Sequence, residues 1–149
     1  MSQFYRGTAI VETNKGIMLG ESKSGLILLP GGRAKRGESR FTAAIRELRE
    51  ETGLKATCAI ALFEYEDARD RHKVLWIAAY GKPCPKDDVV KLHYCQQSEM
   101  SKFEAKLTKA TSNILKLFWD YKEKHESLFR ELEMAEALEI KVYKSSDSI

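Results

Sequence analysis

The chain is poor in several things, and each shortage excludes something. Only three of its 149 residues are cysteine, Cys58, Cys84 and Cys95, and none stands in a C-x-x-C spacing. An odd number of widely separated thiols argues against a disulfide framework or a compact zinc site and suits reduced cysteines in a cytoplasm. Cys58, inside the alternating apolar stretch "LKATCAIALF", is expected to be a buried structural residue. No apolar run approaches the roughly 18 to 20 residues of a membrane helix. "MSQFYRG" lacks the charged-then-apolar order of a signal peptide. A cytoplasmic protein with no membrane partner is therefore expected. An excess of one charge is also missing. The formal net charge is +3 with the signs interspersed, which gives no electrostatic footprint for specific nucleic-acid binding. Finally, all nine glycines lie at or before Gly81 and all three prolines at or before Pro85. The first part of the chain is punctuated as strands and turns require, and the last part is not.

What is present is a globular composition, 43% hydrophobic and 32% charged, in a chain long enough for one ordinary domain. Tyr5 to Glu12 and Ile17 to Gly20 read as short strands around the turn "TNKG", and "GLILL" as a third strand closed by Pro30-Gly31-Gly32. From Ser39 the period changes. Phe41, Ile45 and Leu48 form a helical stripe, ended by Gly53 as C-terminal cap. "LKATCAIALFEYE" and "HKVLWIAAYG" read as longer strands joined by "DARDR", and "VVKLHYC" as another after the loop "KPCPKDD". Ser101 to Glu104 has the form of a capping box opening a helical region. Its stripes are Ile114, Leu117, Phe118 and Tyr121, then Leu128, Leu132, Ala135, Leu138 and Val142. One straight helix from Leu107 to Tyr143 would be about 55 Å long, more than such a domain spans. Either the chain bends near His125 to Ser127 or the second stripe packs on another subunit. The class is α/β in the α+β sense, with strands before and after the first helix. A domain over 1–126 with a helical extension over 127–149 is expected, the extension belonging to the same domain or making a homodimer contact.

The chemistry concentrates in "GGRAKRGESRFTAAIRELREETGL". Glu47, Glu50 and Glu51 fall at i, i+3 and i+4, on one side of the helix and away from its apolar stripe. Such carboxylates repel one another unless a cation intervenes. Mg²⁺ takes one or two carboxylates, keeps waters and fills its other positions with phosphate oxygens. The preceding loop has glycines that let the backbone approach a ligand, and Arg33, Lys35 and Arg36 to meet phosphate charge. From Gly32 the chain reads G-x5-E-x7-R-E-L-R-E-E-T-G-L, through Glu38 and Arg46 to Leu54. It fills every defined position of the Nudix box, G-x5-E-x7-R-E-U-x-E-E-x-G-U. At average residue frequencies that arises by chance on the order of 10⁻⁹ per start position.

The sequence thus resembles a Nudix hydrolase, through about Lys124. The resemblance implies an α/β/α sandwich with a mixed sheet. It also implies Mg²⁺- or Mn²⁺-dependent attack of water on a pyrophosphate linkage in a nucleoside diphosphate joined to another group. It implies metal ligands at Glu47, Glu50 and Glu51, helped by the carbonyl of Gly31 or Gly32. Glu47 either holds a metal-bound water or acts as its base, so Glu47, Glu50 and Arg46 are the catalytic candidates. Arg46 and Glu38 are implied to orient the carboxylates by hydrogen bonds. A further acid is implied after the box, where Asp88 or its neighbour Asp87 stands, with Glu64, Glu66 and Asp67 as rivals. The post-box stretch "ARDRHKV" carries neither the proline of many ADP-ribose readers nor the tyrosine of many dinucleoside polyphosphate readers. That favours a nucleoside triphosphate, oxidised or non-standard bases included, cut to monophosphate and pyrophosphate. ADP-ribose, a nucleotide sugar, a dinucleoside polyphosphate, or binding without cleavage are the alternatives. Phe4, Tyr5, Trp76 and Tyr80 are available for base stacking but are expected in the core.

Overall fold

β1 (Phe4–Ile10) enters the core along its length, its first residues exposed and its last four buried. The computed structural model describes residues 3–147, with side chains described as far as Ala137. The chain runs β1, β2 (Glu12–Thr13), β3 (Gly16–Ser22), β4 (Ile27–Leu28), β5 (Gly31–Arg33), α1 (Arg40–Thr52), β6 (Lys55–Glu66), β7 (Asp70–Tyr80) and β8 (Val89–Cys95). The short α2 (Met100–Phe103), α3 (Lys109–Lys124) and α4 (Glu126–Asp147) follow. Two compact units are present, Met1–Ile114 and Leu115–Ile149.

In the first unit, β1 pairs parallel with β7 and antiparallel with β5, and β6 closes the other side of β7, giving a mixed sheet in the order β5-β1-β7-β6. A second sheet is built on β3, which pairs antiparallel with β2, β4 and β8. This is the expected mixed α+β class, with four α-helices among the described residues. "GLILL" is a strand only at Ile27–Leu28, and Gly31–Arg33, read from sequence as a closing loop, pairs with Arg6 to Thr8 as β5.

α1 lies against β1 at very short range. A side-chain carbon on Gly7 would sit 2.1 Å from the carbonyl oxygen of Arg40 and 2.5 Å from the nitrogen of Ala44. Where the two meet, the buried stripe is accordingly made of small residues, Ala43 and Ala44, with Leu48 buried one turn on and Phe41 and Ile45 half-buried at the margin. Ala9, Val11, Met18, Leu54, Leu75 and Ile77 complete that core. Ser39 caps α1 by accepting the N–H of Thr42, and Gly53 ends it at φ 79°, its N–H donating to the carbonyl of Arg49. A positive φ there is why glycine stands at the cap.

Four sequence expectations need correction. Cys58 is half-buried, because β6 is an outer strand of its sheet, and Cys95 is the buried thiol. Phe4 and Tyr5 are exposed, at 47% and 53%, since β1 begins outside the core; Trp76 is buried as expected and Tyr80 half-buried. The capping box belongs to Gln96 and Glu99, at the 3-10 turn Gln97–Glu99, rather than to Ser101 and Glu104. In the second unit the helix breaks at His125, between α3 and α4, where a bend was one of the two expectations, but among the described side chains of α4 the buried one is Phe129 rather than a member of the predicted stripe. Phe129 meets Phe118 edge-on at 5.6 Å and Tyr121 at 6.2 Å, and Lys122 pairs with Glu133 at 3.0 Å, so α4 folds back on α3. Leu117 is 43% exposed; Leu138 and Val142 lie outside the described side chains.

Candidate active site

Glycine-permitted close approach organises the site. Gly32 on β5 has its Cα against Glu47 of α1; a side-chain carbon there would lie 2.4 Å from the Glu47 carboxyl. One residue earlier, the N–H of Gly31 donates to Glu51 Oε1 at 2.9 Å. A further partner is Arg46. Its Nε and Nη2 grip both oxygens of Glu38, at 2.8 and 2.9 Å, while Nη1 donates to Glu47 Oε1 and Glu50 Oε2, each at 3.0 Å. Nη2 also reaches the Arg33 carbonyl at 3.3 Å. A planar guanidinium with five donors can hold three carboxylates at once in this way, which an ammonium cannot.

Electrostatics differs along this cluster. The Arg46 fork pulls the Glu38 carboxyl down to about 2, with the Lys35 N–H at 3.0 Å helping, and Glu38 in turn raises Arg46. Burial does the opposite to the other two acids. It pushes Glu47 up against the pull of Arg46, and Glu51 up to about 7 against the pull of the Gly31 N–H, with Glu47 and Asp87 adding repulsion.

Glu47 and Glu51 line a cleft of about 730 Å³ that also takes in Gly31, Gly32 and Arg33. Glu50, Arg46, Glu38 and Lys35 do not line it: they stand behind, where Arg46 ties them together. Lys35 acts on Glu38 through its backbone N–H, which donates at 3.0 Å, and through its charge. Asp87 and Asp88 both reach the cleft, on a loop pinned to the end of α1 by the N–H groups of Cys84 and Lys86, which donate to Thr52 and Glu51 carbonyls at 2.9 Å. Asp87, in the left-handed region at φ 56°, is the one whose charge acts on Glu51. Of the rivals, Glu64 pairs with Arg40 and Glu66 with Arg71, away from the cleft, while Asp67 also lines it and accepts the N–H groups of Arg69 and Asp70 to make the turn before β7.

The donor set suits a hard divalent cation. Among the described residues no three acids are already drawn together as a metal cage. Yet each of Glu47 and Glu51 uses only Oε1, and among those residues the second oxygen of each makes no hydrogen bond. Two part-buried carboxylates with spare oxygens and raised pKa values form an anionic site in want of positive charge, and oxygen-only ligands are those of Mg²⁺ or Mn²⁺.

Sequence reasoning missed the cleft's other wall: Arg6, Thr8, Arg69, Asp70 and His72. The available signal was strand parity. Arg6 and Thr8 on β1, and Asp70 and His72 on β7, share the sheet face opposite to Gly7 and α1. Their nearness depends on a pairing between segments far apart in sequence.

The NUDIX domain pattern matches residues 4–118. This chain belongs to the Nudix family. Its chemistry is accordingly hydrolysis at a pyrophosphate bond. Among solved structures, a Nudix hydrolase family member from Chromobacterium violaceum is 30% identical with a TM-score of 0.82, covering 97% of each chain. A bifunctional NMN adenylyltransferase/ADP ribose pyrophosphatase from Francisella tularensis, complexed with AMP and a Mn ion, is 22% identical with a TM-score of 0.66. That match covers 80% of this chain and 42% of that one. MutT, from work on Aliivibrio salmonicida and Vibrio cholerae, is 21% identical with a TM-score of 0.58 over 68% and 86%. At those identities the last two share the Nudix fold, which is as far as the likeness goes. No curated protein matches the chain. Among the described residues no helix is long and apolar enough to cross a membrane.

Proposed function

We propose that this Nudix protein is a Mg²⁺- or Mn²⁺-dependent pyrophosphohydrolase that cuts a nucleoside triphosphate to monophosphate and pyrophosphate. The observation that carries the reading is the pair of spare carboxylate oxygens on Glu47 and Glu51, set in a cleft that also offers Arg6, Arg33 and Arg69. Glu47 and Glu51 would hold the metal, with the carbonyl of Gly31 or Gly32 and with Asp87 or Asp88 on the facing loop; Glu50, held behind the cleft by Arg46, would join them only after a change of rotamer. Once bound, a divalent cation supplies charge neutralisation for the pyrophosphate and lowers the pKa of a bound water.

The protein's own part is positioning and proton handling. Arg46 fixes the rotamers of Glu47 and Glu50 from behind. Arg6, whose guanidinium reaches the Gly31 carbonyl at 3.4 Å, stands beside the acids to meet phosphate charge. Glu47, with its affinity for protons raised by burial, would accept a proton at its free oxygen in place of holding the metal there. The triphosphate assignment rests on the stretch after the box, which carries neither the proline nor the tyrosine of the rival classes. A cytoplasmic setting is supported by three cysteines, none of them in a disulfide.

The test is hydrolysis of a nucleotide panel with Mg²⁺ and with Mn²⁺, products identified, beside Glu51→Gln. Turnover of triphosphates to monophosphate and pyrophosphate, lost in the variant, is expected. Cleavage confined to ADP-ribose or a nucleotide sugar moves the substrate assignment. No turnover on any of them, or full activity in the variant, sinks the reading.

A further inference from the structure

β7 carries two polar side chains that the acid cluster does not use. Asp70 and His72 alternate onto one face of the strand, the face that on neighbouring β1 carries Arg6 and Thr8, and all four line the cleft. His72 is 5% exposed. Its Nδ1 is paired with the Thr8 hydroxyl at 2.8 Å, while its Nε2 is shut from water and has no hydrogen-bond partner. Asp70 Oδ1 is in the same condition; Arg33 Nε, at 3.6 Å, is beyond hydrogen-bond length. Buried polar atoms are nearly always paired, and each one left unmade costs about 1–3 kcal/mol. Two of them, two residues apart on a cleft wall, mark a place where a ligand completes the protein.

The chemistry of the pair narrows the ligand. An ionised carboxylate only accepts, so Asp70 calls for an N–H or O–H donor. His72, kept neutral by burial and by Arg6, takes a donor or an acceptor according to its tautomer. The same cleft presents aliphatic side chains from the second sheet and its margins, Leu28, Leu29, Val89 and Leu92. That combination suits a flat heterocycle, apolar on its faces and polar at one edge, better than a sugar with hydroxyls all round. An amino group beside a ring nitrogen is the edge that answers both atoms.

We propose that Asp70 and His72 read the edge of the nucleobase attached to the pyrophosphate and select bases bearing an exocyclic amino group. The inference rests on the pyrophosphohydrolase reading for where the phosphates lie, but recognition itself is a binding property and is measured apart from turnover. Binding of AMP, GMP and CMP is compared with IMP and UMP by calorimetry on the wild-type, Asp70→Asn and His72→Gln proteins, each first checked for an unchanged melting temperature. In parallel, kcat/KM is measured for the five triphosphates. One or more amino-bearing bases are expected to bind at least about tenfold better than IMP and UMP. Asp70→Asn, which keeps the shape while removing the charge and adding a donor, should erase the difference in binding between the amino-bearing bases and IMP or UMP. Equal binding of all five by the wild type, or variants that weaken all five alike, overturns the proposal. Discrimination in binding without any turnover upholds it while sinking the hydrolase reading; turnover without discrimination does the reverse.

Discussion

Gly32 and Glu47 compete for one small volume. With a hydrogen in place of a methyl, the Glu47 carboxyl lies against β5; with alanine there, the new carbon meets Cγ, Cδ and Oε1 of Glu47 at 2.4 to 2.7 Å. The obstacle is the end of a flexible side chain, not backbone, so the fold tolerates the change and the carboxylate moves. Gly32→Ala is expected to lower kcat/KM at least tenfold while shifting unfolding free energy by less than about 1 kcal/mol, read by urea titration beside the kinetics. Glu51 makes a different prediction. Its folded-state pKa of about 7 lies above the ordinary 4.5, so between those values the folded protein binds a proton that the unfolded chain has released. Stability must then fall as pH rises through that window. In metal-free protein, replacing Glu51 by Gln should leave stability near pH 4.5 little changed and raise it by on the order of 2–3 kcal/mol at pH 8. Melting in the presence of chelator across that range checks this; a variant advantage that does not grow with pH rules it out. Adding Mg²⁺ at pH 8 should raise the melting temperature of the wild type and not of the variant. At this scale the box residues were legible because helical spacing is local. Arg6, Thr8, Asp70 and His72 were not, because a polar residue on a strand shows its purpose only once its neighbour strand is known.

At the scale of elements, the seat of α1 on β1 decides where every box carboxylate points. Gly7 sets that distance, and here the obstacle is backbone: the Arg40 carbonyl at 2.1 Å and the Ala44 nitrogen at 2.5 Å. Gly7→Ala must push the helix off the sheet. It is expected to cost about 3 kcal/mol or more and to lose activity with stability, the opposite pattern to Gly32→Ala. Unfolding midpoints and kinetics measured on both variants separate the two cases. The sequence announced α1 through its cap residues and its box, yet its true packing centre, Ala43 and Ala44, was overlooked because alanine is a weak apolar signal while Phe41 and Ile45 are strong ones. The break at His125 was legible from length alone, since a straight helix would have outrun the domain. Phe129, which seals that hairpin, was not, because it falls outside the regular stripe.

At the scale of the molecule, all residues lining the cleft lie in the unit ending at Ile114, and Phe118 and Phe129 lie in the other. Phe129→Ala, which empties a site only 1% exposed, should destabilise the Leu115–Ile149 unit by roughly 3–5 kcal/mol. The change is expected as faster amide exchange across α3 and α4, and exchange confined to other elements would contradict it. Of the two readings of the C-terminal segment, packing on its own domain or a homodimer contact, the second has its own check: if it holds, deletion of Ser127 to Ile149 reduces the mass in solution from dimer to monomer.

The pairing of β1 with β7 sets a schedule as well as a shape. Phe4 is registered with Asp70 and Ile10 with Trp76, so a strand made early waits for one made far later. Arg6 and Thr8 face His72 and Asp70 only after that parallel contact closes, and long-range parallel closure is intrinsically slow. During synthesis the box helix can form and even carry its carboxylates while the wall that reads the rest of the substrate does not yet exist. A nascent chain halted before β7 would therefore own the cation-seeking half of the cleft and lack the selective half.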